Sequence, residues 1–385
     1  MTAPPAPERA KGAHVRERLA ALPGLDRIRE AAADTPVYLV GGAVRDLLLG
    51  RDRTDLDVVV EGDAAALACR LGGEAVTHER FATVKVILDG LEFDLASARA
   101  ESYPRPGALP EVRPAGLAED LARRDFTINA MAIPLHREPE LIDPHGGSAD
   151  VEGGLIRILH PRSFVDDPTR VLRAARYAAR FEFTVEPETA RLAREADLST
   201  VSEDRAEAEL IKLAGEPRAR AGFELLDEWG VVTLPEGSGP LIDAVFAVLA
   251  RGPWEGVADR SLAVHAAATG RAPGAAGRLR DLLGAARSLA GASPERPSEA
   301  VELARGHGGI ELVLARALGA EWLDRYVSEW RAVELEITGE DLLESGIPEG
   351  PALGRGLDEA LRRKLDGEIS GREEELRTAL DAARG

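Results

Sequence analysis

The chain has 385 residues, of which 44% are apolar and 30% charged, a composition that excludes wholesale disorder and a length that fits several small domains. The net charge is −19, from 48 basic and 67 acidic residues, which argues against broad electrostatic binding to nucleic acid. A single cysteine, Cys69, excludes a disulfide scaffold and any zinc site built on several thiolates. No stretch approaches the roughly 18 apolar residues of a membrane span, and the first residues lack a hydrophobic signal core, so the expected location is the cytoplasm, with no membrane partner. Lys11, Lys85, Lys212 and Lys364 are the only lysines, so arginine in place of lysine carries little weight at any one site.

Residues 1–35 read as a leader followed by a helix over 15–33. Val37-Tyr38-Leu39-Val40 is a short apolar strand ending at Gly41-Gly42, and residues 43–49 read as a helix closed by Gly50. Residues 56–60 form a second strand. Residues 84–88 and 91–95 flank Asp89-Gly90, a dipeptide suited to a tight hairpin turn. Residues 36–150 are therefore mixed α/β with at least one antiparallel pair. Beyond Asp150 the strand signals fade, and from Asp167 the texture is Ala/Leu/Arg/Glu-rich with a helical period. Residues 237–240 and 274–297 read as loops or linkers, rich in Gly, Ala, Ser and Pro.

Four motifs carry chemistry. Gly41-Gly42-Ala43-Val44-Arg45-Asp46 sits between a strand and a helix, where bare backbone amides and the helix start favour a phosphate and Arg45 adds a charged donor. An ordinary strand-to-helix turn with a surface arginine is the plain alternative. Asp55-Leu56-Asp57 puts two carboxylates on one face of a strand, and Asp94 on the hairpin, with Glu92 beside it, adds a third. Carboxylate oxygens of this kind suit Mg²⁺ and substrate phosphates, although solvated acids of a half-buried strand would look the same. Arg123-Arg124-Asp125-Phe126-Thr127-Ile128-Asn129 makes a charged corner in which Asn129 can reach a ribose hydroxyl, or a helix start capped by Asp125. Asp167-Pro168 opens a helix carrying Arg170, Arg173, Arg176 and Arg180. The last three share one narrow arc. Residues 157–180 hold six arginines against two aspartates, and a one-sign stripe seeks phosphates or carboxylates.

In this order and at these distances the motifs resemble the class II tRNA nucleotidyltransferases, the CCA-adding family with its related bacterial poly(A) polymerases. Asp143-Pro144-His145-Gly146-Gly147 is similar to the family's link between motifs, and the likeness spans about residues 36–215. It implies an α+β fold. A nucleotidyltransferase head with a mixed or antiparallel sheet would occupy residues 36–150. A helical neck that reads the base (151–215) and a helical body and tail that bind tRNA (216–385) would follow. It further implies that Asp55 and Asp57 hold Mg²⁺ with Asp94 in support. Gly42, Arg45 and Arg124 would take the incoming triphosphate and ribose, with Asp125 and Asn129 beside them. Asp167 and Arg170 would hydrogen-bond the edge of the incoming base in place of a template, and Arg173 and Arg176 would meet phosphates.

The implied reaction is transfer of CMP and AMP from CTP and ATP to the 3′ end of tRNA, with release of pyrophosphate. Arg99-Ala100-Glu101-Ser102-Tyr103-Pro104-Arg105 resembles the family's mobile loop, which bears on the switch from C to A addition. Segment 78–83 resembles the tRNA-directed branch, as does the tail from Ile337 to Pro351. Ser202-Glu203-Asp204-Arg205 with Glu209 is similar to a helix end that supports the base pocket. The competing readings are a CC-adding, A-adding or poly(A)-synthesising relative, a small-molecule nucleotidyltransferase, and an inactive RNA-binding protein. The paired carboxylates speak against the last.

Overall fold

Alternation of buried and open side chains organises the head around one sheet. The structure, a computed structural model, describes residues 15–51, 55–78, 83–271 and 282–385, with the backbone alone at Asp55 and His78. Segment 79–82, part of the tRNA-branch likeness, and residues 272–281, where the expected linker 274–297 begins, lie outside the described residues.

The strands are β1 (Val37–Val40), β2 (Asp55–Val60), β3 (Glu74–His78), β4 (Thr83–Leu88), β5 (Leu91–Ser97), β6 (Arg99–Ser102), β7 (Glu111–Pro114) and β8 (Ala132–Pro134). Six of them form one sheet in the order β3-β4-β5-β2-β1-β8, and β6 and β7 form a separate hairpin. Within the sheet only β2 and β5 run parallel. The turn between β4 and β5 is the expected one, with Asp89 and Gly90 both at positive φ.

The parallel β2/β5 register decides what the sheet can do. It aligns Asp55 with Glu92, Asp57 with Asp94 and Val59 with Ala96. Side chains alternate, so Phe93 and Leu95 enter the core while Glu92 and Asp94 take the other face. At one end of that other face, Val59, Tyr38, Val40 and Ala132 are covered by Leu117 and Leu121 of the helix Leu117–Ala122. The carboxylates lie at the opposite end, beyond that hydrophobic cluster.

Five local expectations are revised, one of them the linker 274–297, in which Leu282–Ala290 is a helix with Leu282, Leu283, Ala286 and Leu289 buried. The single helix over 15–33 is two pieces, 15–20 and Leu25–Ala32, separated at Pro23-Gly24. Gly24 has φ +83°, and a Cβ there would stand 2.7 Å from Cζ of the buried Phe93. The helix after Gly41-Gly42 begins at Gly42 and runs to Leu48. Residues 238–240 are not a loop but the first turn of the helix Ser238–Leu249, where Pro240 is tolerated because first-turn amides need no intrahelical acceptor. Strand structure also continues beyond residue 150, in a short parallel pair, Leu155–Ile156 with Thr184–Val185.

The chain divides into two compact units, the first running to Glu209 and including Glu216–Val232, the second comprising Leu210–Gly215 and Thr233–Gly385. Beyond the head sheet, the first unit is built on the helix Thr169–Phe181 packed against Ala219–Glu228. The second unit is helical among its described residues. Its last two helices, Pro351–Leu365 and Arg372–Arg384, close tightly at Gly356, where a Cβ would meet the Ala379 carbonyl at 2.5 Å. No helix among the described residues is long and apolar enough to cross a membrane. The fold is α+β, as expected.

Gly24 yields a stability prediction. Gly24→Ala should cost about 2–3 kcal/mol in denaturant unfolding, because left-handed strain and the Phe93 clash add. Gly237→Ala shares the left-handed backbone (φ +83°, ψ 2°) but meets nothing within 4 Å, and should cost only about 1 kcal/mol. Equal costs would remove the steric part of the argument.

Candidate active site

The site is a cleft of about 490 Å³ in the first unit, lined by Gly42, Arg45, Asp57, Arg124, Asp125, Asn129, Asp167, Arg170 and Arg173. Four separate sequence motifs thus share one concavity. Asp94 and Arg176 are not among its lining residues.

The end expected to take the triphosphate begins at the helix Gly42–Leu48, too short to act through its dipole alone. Gly41 has φ +62°, and a Cβ there would lie 2.4 Å from Nη1 of Arg124, so glycine lets that guanidinium approach the backbone. Arg124 donates to the Asn129 carbonyl at 3.2 Å and to Asp120 at 2.9 Å. Arg45 is buried, donating to Asp46 at 3.0 Å and to Oδ1 of Asn129 at 2.5 Å. The Asn129 amide in turn donates to Asp125 at 2.9 Å. Both ends of Asn129 therefore hold protein partners, and its amide serves to set Arg45 and Asp125.

Asp125 is buried, not the exposed cap of a long helix. It accepts the Phe126 amide at 2.9 Å and precedes a 3₁₀ turn, Thr127–Asn129. Arg173 donates to its Oδ2 twice, at 2.9 and 2.6 Å. Burial alone would raise the Asp125 carboxyl, but Arg173 and Asn129 outweigh it and hold it at about 2. The same pairing raises the Arg173 guanidinium against its own burial.

At the end expected to read the base, Asp167 caps the helix Thr169–Phe181, which starts one residue later than the Asp-Pro pair suggests. Its Oδ1 accepts the Thr169 amide at 3.2 Å, the Thr169 hydroxyl at 2.7 Å and Nη2 of Arg205 at 3.0 Å. Among the described residues Oδ2 accepts no hydrogen bond. Arg170 is buried; Nη1 donates to Ser163 at 2.8 Å, while Nη2 donates to the Arg123 carbonyl at 2.7 Å and to the Tyr103 hydroxyl at 3.4 Å. Three of its five donors are thus engaged by the protein.

Arg176 departs from its expected phosphate role. It is buried, donates to Glu209 at 3.1 Å and lies 3.6 Å from Glu216. A same-sign arginine stripe accepts carboxylates as readily as phosphates, and here the protein supplies them.

Three residues that sequence reasoning missed hold the site together. Asp120 is fully buried and accepts from both Arg123 and Arg124. Its carboxyl is lowered, those two arginines outweighing burial. The signal was available, since Asp120 stands three and four residues before them on a helix. Glu101, on the loop-like hairpin, accepts from Arg99, Arg123 and Tyr103. Burial, the largest cause, raises the Tyr103 hydroxyl to about 12. Ser163, fully buried, orients Arg170, and nothing in the sequence marked it.

The carboxylate end is described in part. Asp57 and Asp94 are aligned on neighbouring strands and share a face; the Asp55 side chain lies outside the described residues, although its backbone opens β2 in register with Glu92. Lys85, opposite Asp94 on β4, stands 2.8 Å from Glu92 and 3.3 Å from Asp94. Among the described residues no group of three or more His, Cys, Asp or Glu is placed to hold a metal. The donors that are present, all carboxylate oxygens, have the chemistry a hard divalent cation requires.

Comparison with known proteins follows the same pattern. Residues 37–157 match the poly A polymerase head domain family. The A-adding tRNA nucleotidyltransferase of Halalkalibacterium halodurans is 46% identical over 219 residues, covering 53% of this chain and 51% of that protein, so the chain spans about half the length of that relative. The CC-adding tRNA nucleotidyltransferase of Deinococcus radiodurans is 37% identical over 376 residues, 94% of this chain and 92% of that one. Among solved structures, the Thermotoga maritima CCA-adding enzyme complexed with tRNA superposes with a TM-score of 0.73 at 29% identity, covering 96% of this chain and 98% of that one. The fold is that of a nucleotidyltransferase head followed by helices. The chain belongs to the class II tRNA nucleotidyltransferase family, whose nucleotidyltransferase chemistry implies a divalent metal.

The Asp125 pairing predicts a pH dependence. Its folded value of about 2 lies below the roughly 3.9 of an unfolded aspartate. The pairing therefore contributes about 2–3 kcal/mol of stability above pH 4, lost as pH falls through 2. Asp125→Asn should flatten the stability profile across that window when urea unfolding is followed at each pH. An unchanged slope would refute the pairing as its source.

Proposed function

We propose that this protein transfers CMP and AMP from CTP and ATP to the 3′ end of tRNA without a template. The observation that carries the reading is the convergence of Gly42, Arg45 and Arg124 with Asp167 and Arg170 in the one cleft that Asp57 also lines. Backbone at Gly42 and the Arg45 and Arg124 guanidinia bind and orient the triphosphate. The uncommitted Oδ2 of Asp167 accepts the exocyclic amine of C or A, and the two remaining Arg170 donors reach a ring nitrogen or carbonyl. Guanine and uracil present the wrong donor and acceptor to that pair. Ser163 and the Arg123 carbonyl keep Arg170 from swinging, which makes the choice rigid. Asp125 and Arg173 serve as positioning residues, and Arg176 is structural.

Asp55 and Asp57, with Asp94 in support, would hold Mg²⁺, which when bound lowers the pKa of the attacking hydroxyl and offsets charge on the leaving pyrophosphate. A tRNA-directed reaction of this kind belongs in the cytoplasm. A second reading, CC addition alone, is favoured by the near full-length similarity to a CC-adding relative. Arg99, Glu101 and Tyr103 line the cleft, which supports A-competence because segment 99–105 resembles the loop linked to A addition.

Incubation with tRNAs ending before C, after C and after CC, with labelled CTP or ATP, separates these readings. Incorporation of CTP alone or of ATP alone would reject full CCA addition, and long A tails on unrelated RNA would indicate a poly(A) polymerase. Asp57→Ala should abolish transfer while tRNA affinity measured by filter binding stays near that of the unsubstituted protein; near-normal turnover would refute the metal assignment. Ser163→Ala should raise misincorporation of UTP and GTP roughly tenfold, the equivalent of one lost hydrogen bond, with a smaller effect on the KM for tRNA.

A further inference from the structure

The helix Thr169–Phe181 carries four arginines, and the protein neutralises or engages three. Arg170 is held by Ser163 and a carbonyl, Arg173 by Asp125, and Arg176 by Glu209 and Glu216. Arg180 differs. It is exposed, lines the same cleft as Arg45, and has no carboxylate within ion-pair distance among the described residues. Its guanidinium carbon lies 5.5 Å from the centre of the Phe181 ring. Two more guanidinia approach that ring, Arg45 at 4.3 Å and the exposed Arg51 at 4.8 Å. Arg45 pairs with Asp46 at 2.9 Å, whereas Arg180 and Arg51 act on Glu216 only from beyond ion-pair distance, and that carboxylate already lies 3.6 Å from Arg176.

Three cations around one buried phenylalanine repel each other. Attraction to the ring returns only about 0.5–1 kcal/mol for each exposed cation. The arrangement therefore leaves a positive surplus at one edge of the cleft that an anion would complete. Arg180 follows Arg170 by ten residues, about 15 Å along the helix axis. That matches the reach of an extended nucleoside triphosphate from its base to its terminal phosphates.

We propose that Arg180, with Arg51 beside it on the Phe181 ring, binds the β- and γ-phosphates of the incoming nucleotide and the pyrophosphate that leaves, whichever base is present. The proposal rests on the nucleotidyl-transfer reading and adds to it a phosphate contact from Arg180 and Arg51, neither of which was among the residues expected to bind the nucleotide.

The test uses the full chain with Mg²⁺, inorganic pyrophosphate as the probe, and the variants Arg180→Gln, Arg51→Gln and Arg180→Lys. For Arg180→Gln, the KM for CTP, the KM for ATP and the inhibition constant for pyrophosphate should all rise by a common factor of about three to ten, the loss of one charge-assisted contact. Arg51→Gln should act in the same direction, and Arg180→Lys should recover part of the loss. The KM for tRNA and the salt dependence of tRNA binding should not move. Values for pyrophosphate and both nucleotides within twofold of the unsubstituted protein would overturn the proposal. So would a shift confined to the tRNA KM and its salt slope, which would make Arg180 a contact for the RNA backbone. Calorimetric titration with pyrophosphate and Mg²⁺ keeps the two readings apart. If the protein transfers no nucleotide to any tRNA, the function fails, while pyrophosphate affinity and its loss in Arg180→Gln still decide this site.

Discussion

A carboxylate with almost no access to water, Asp125, constrains everything around the cleft. Leaving such a charge unpaired costs several kcal/mol, so its partners are required to be present together. Arg173 reaches it from the helix Thr169–Phe181, and Asn129 reaches it from the 3₁₀ turn. Asn129 also takes Arg45 from the helix Gly42–Leu48. One buried charge thus ties three elements that are far apart in the chain. The proposed triphosphate end and the proposed base-reading end lie on two of them. Their separation is set by this network rather than by loop length, which is what reading a base without a template would need.

A second layer of pairing orients the groups that face the cleft. Asp120 and Glu101 share Arg123, and Asp120 also takes Arg124. Arg205 joins Asp167 to the Gly107 carbonyl, so the segment after β6 and the helix start are held by one side chain. The cleft is consequently walled by guanidinia whose protein partners are already satisfied on one side. Each keeps donors for a ligand without paying the full cost of isolation.

The net charge of −19 reads differently once the pairs are known. Much of the acid is spent on arginines. Arg176 takes Glu209 and Glu216, and in the second unit Glu359 accepts from both Arg362 and Arg363. Global charge counts such internally balanced groups along with the free ones. What a polyanion meets is the unbalanced remainder, and at the cleft that remainder is positive.

Patterns with short sequence reach were legible. Strand alternation put Glu92 and Asp94 on one face, Asp89-Gly90 turned the hairpin, and Asp167 capped its helix, because each depends on neighbours within a few residues. The motif order also carried the family. Partner choice was not legible. The stripe of Arg170, Arg173, Arg176 and Arg180 looks uniform in the sequence, yet the tertiary structure gives the first a serine and a carbonyl, the next two carboxylates, and the last an aromatic ring with Glu216 beyond ion-pair distance. Ser163, Asp120 and Glu101 entered the site the same way. The amino-acid sequence determined which charges and periodicities exist; only the fold decided which charges cancel. Cancellation depends on distances of a few ångströms between residues 33 or 48 positions apart, as for Arg176 with Glu209 and Arg173 with Asp125, and a linear pattern holds no record of those distances.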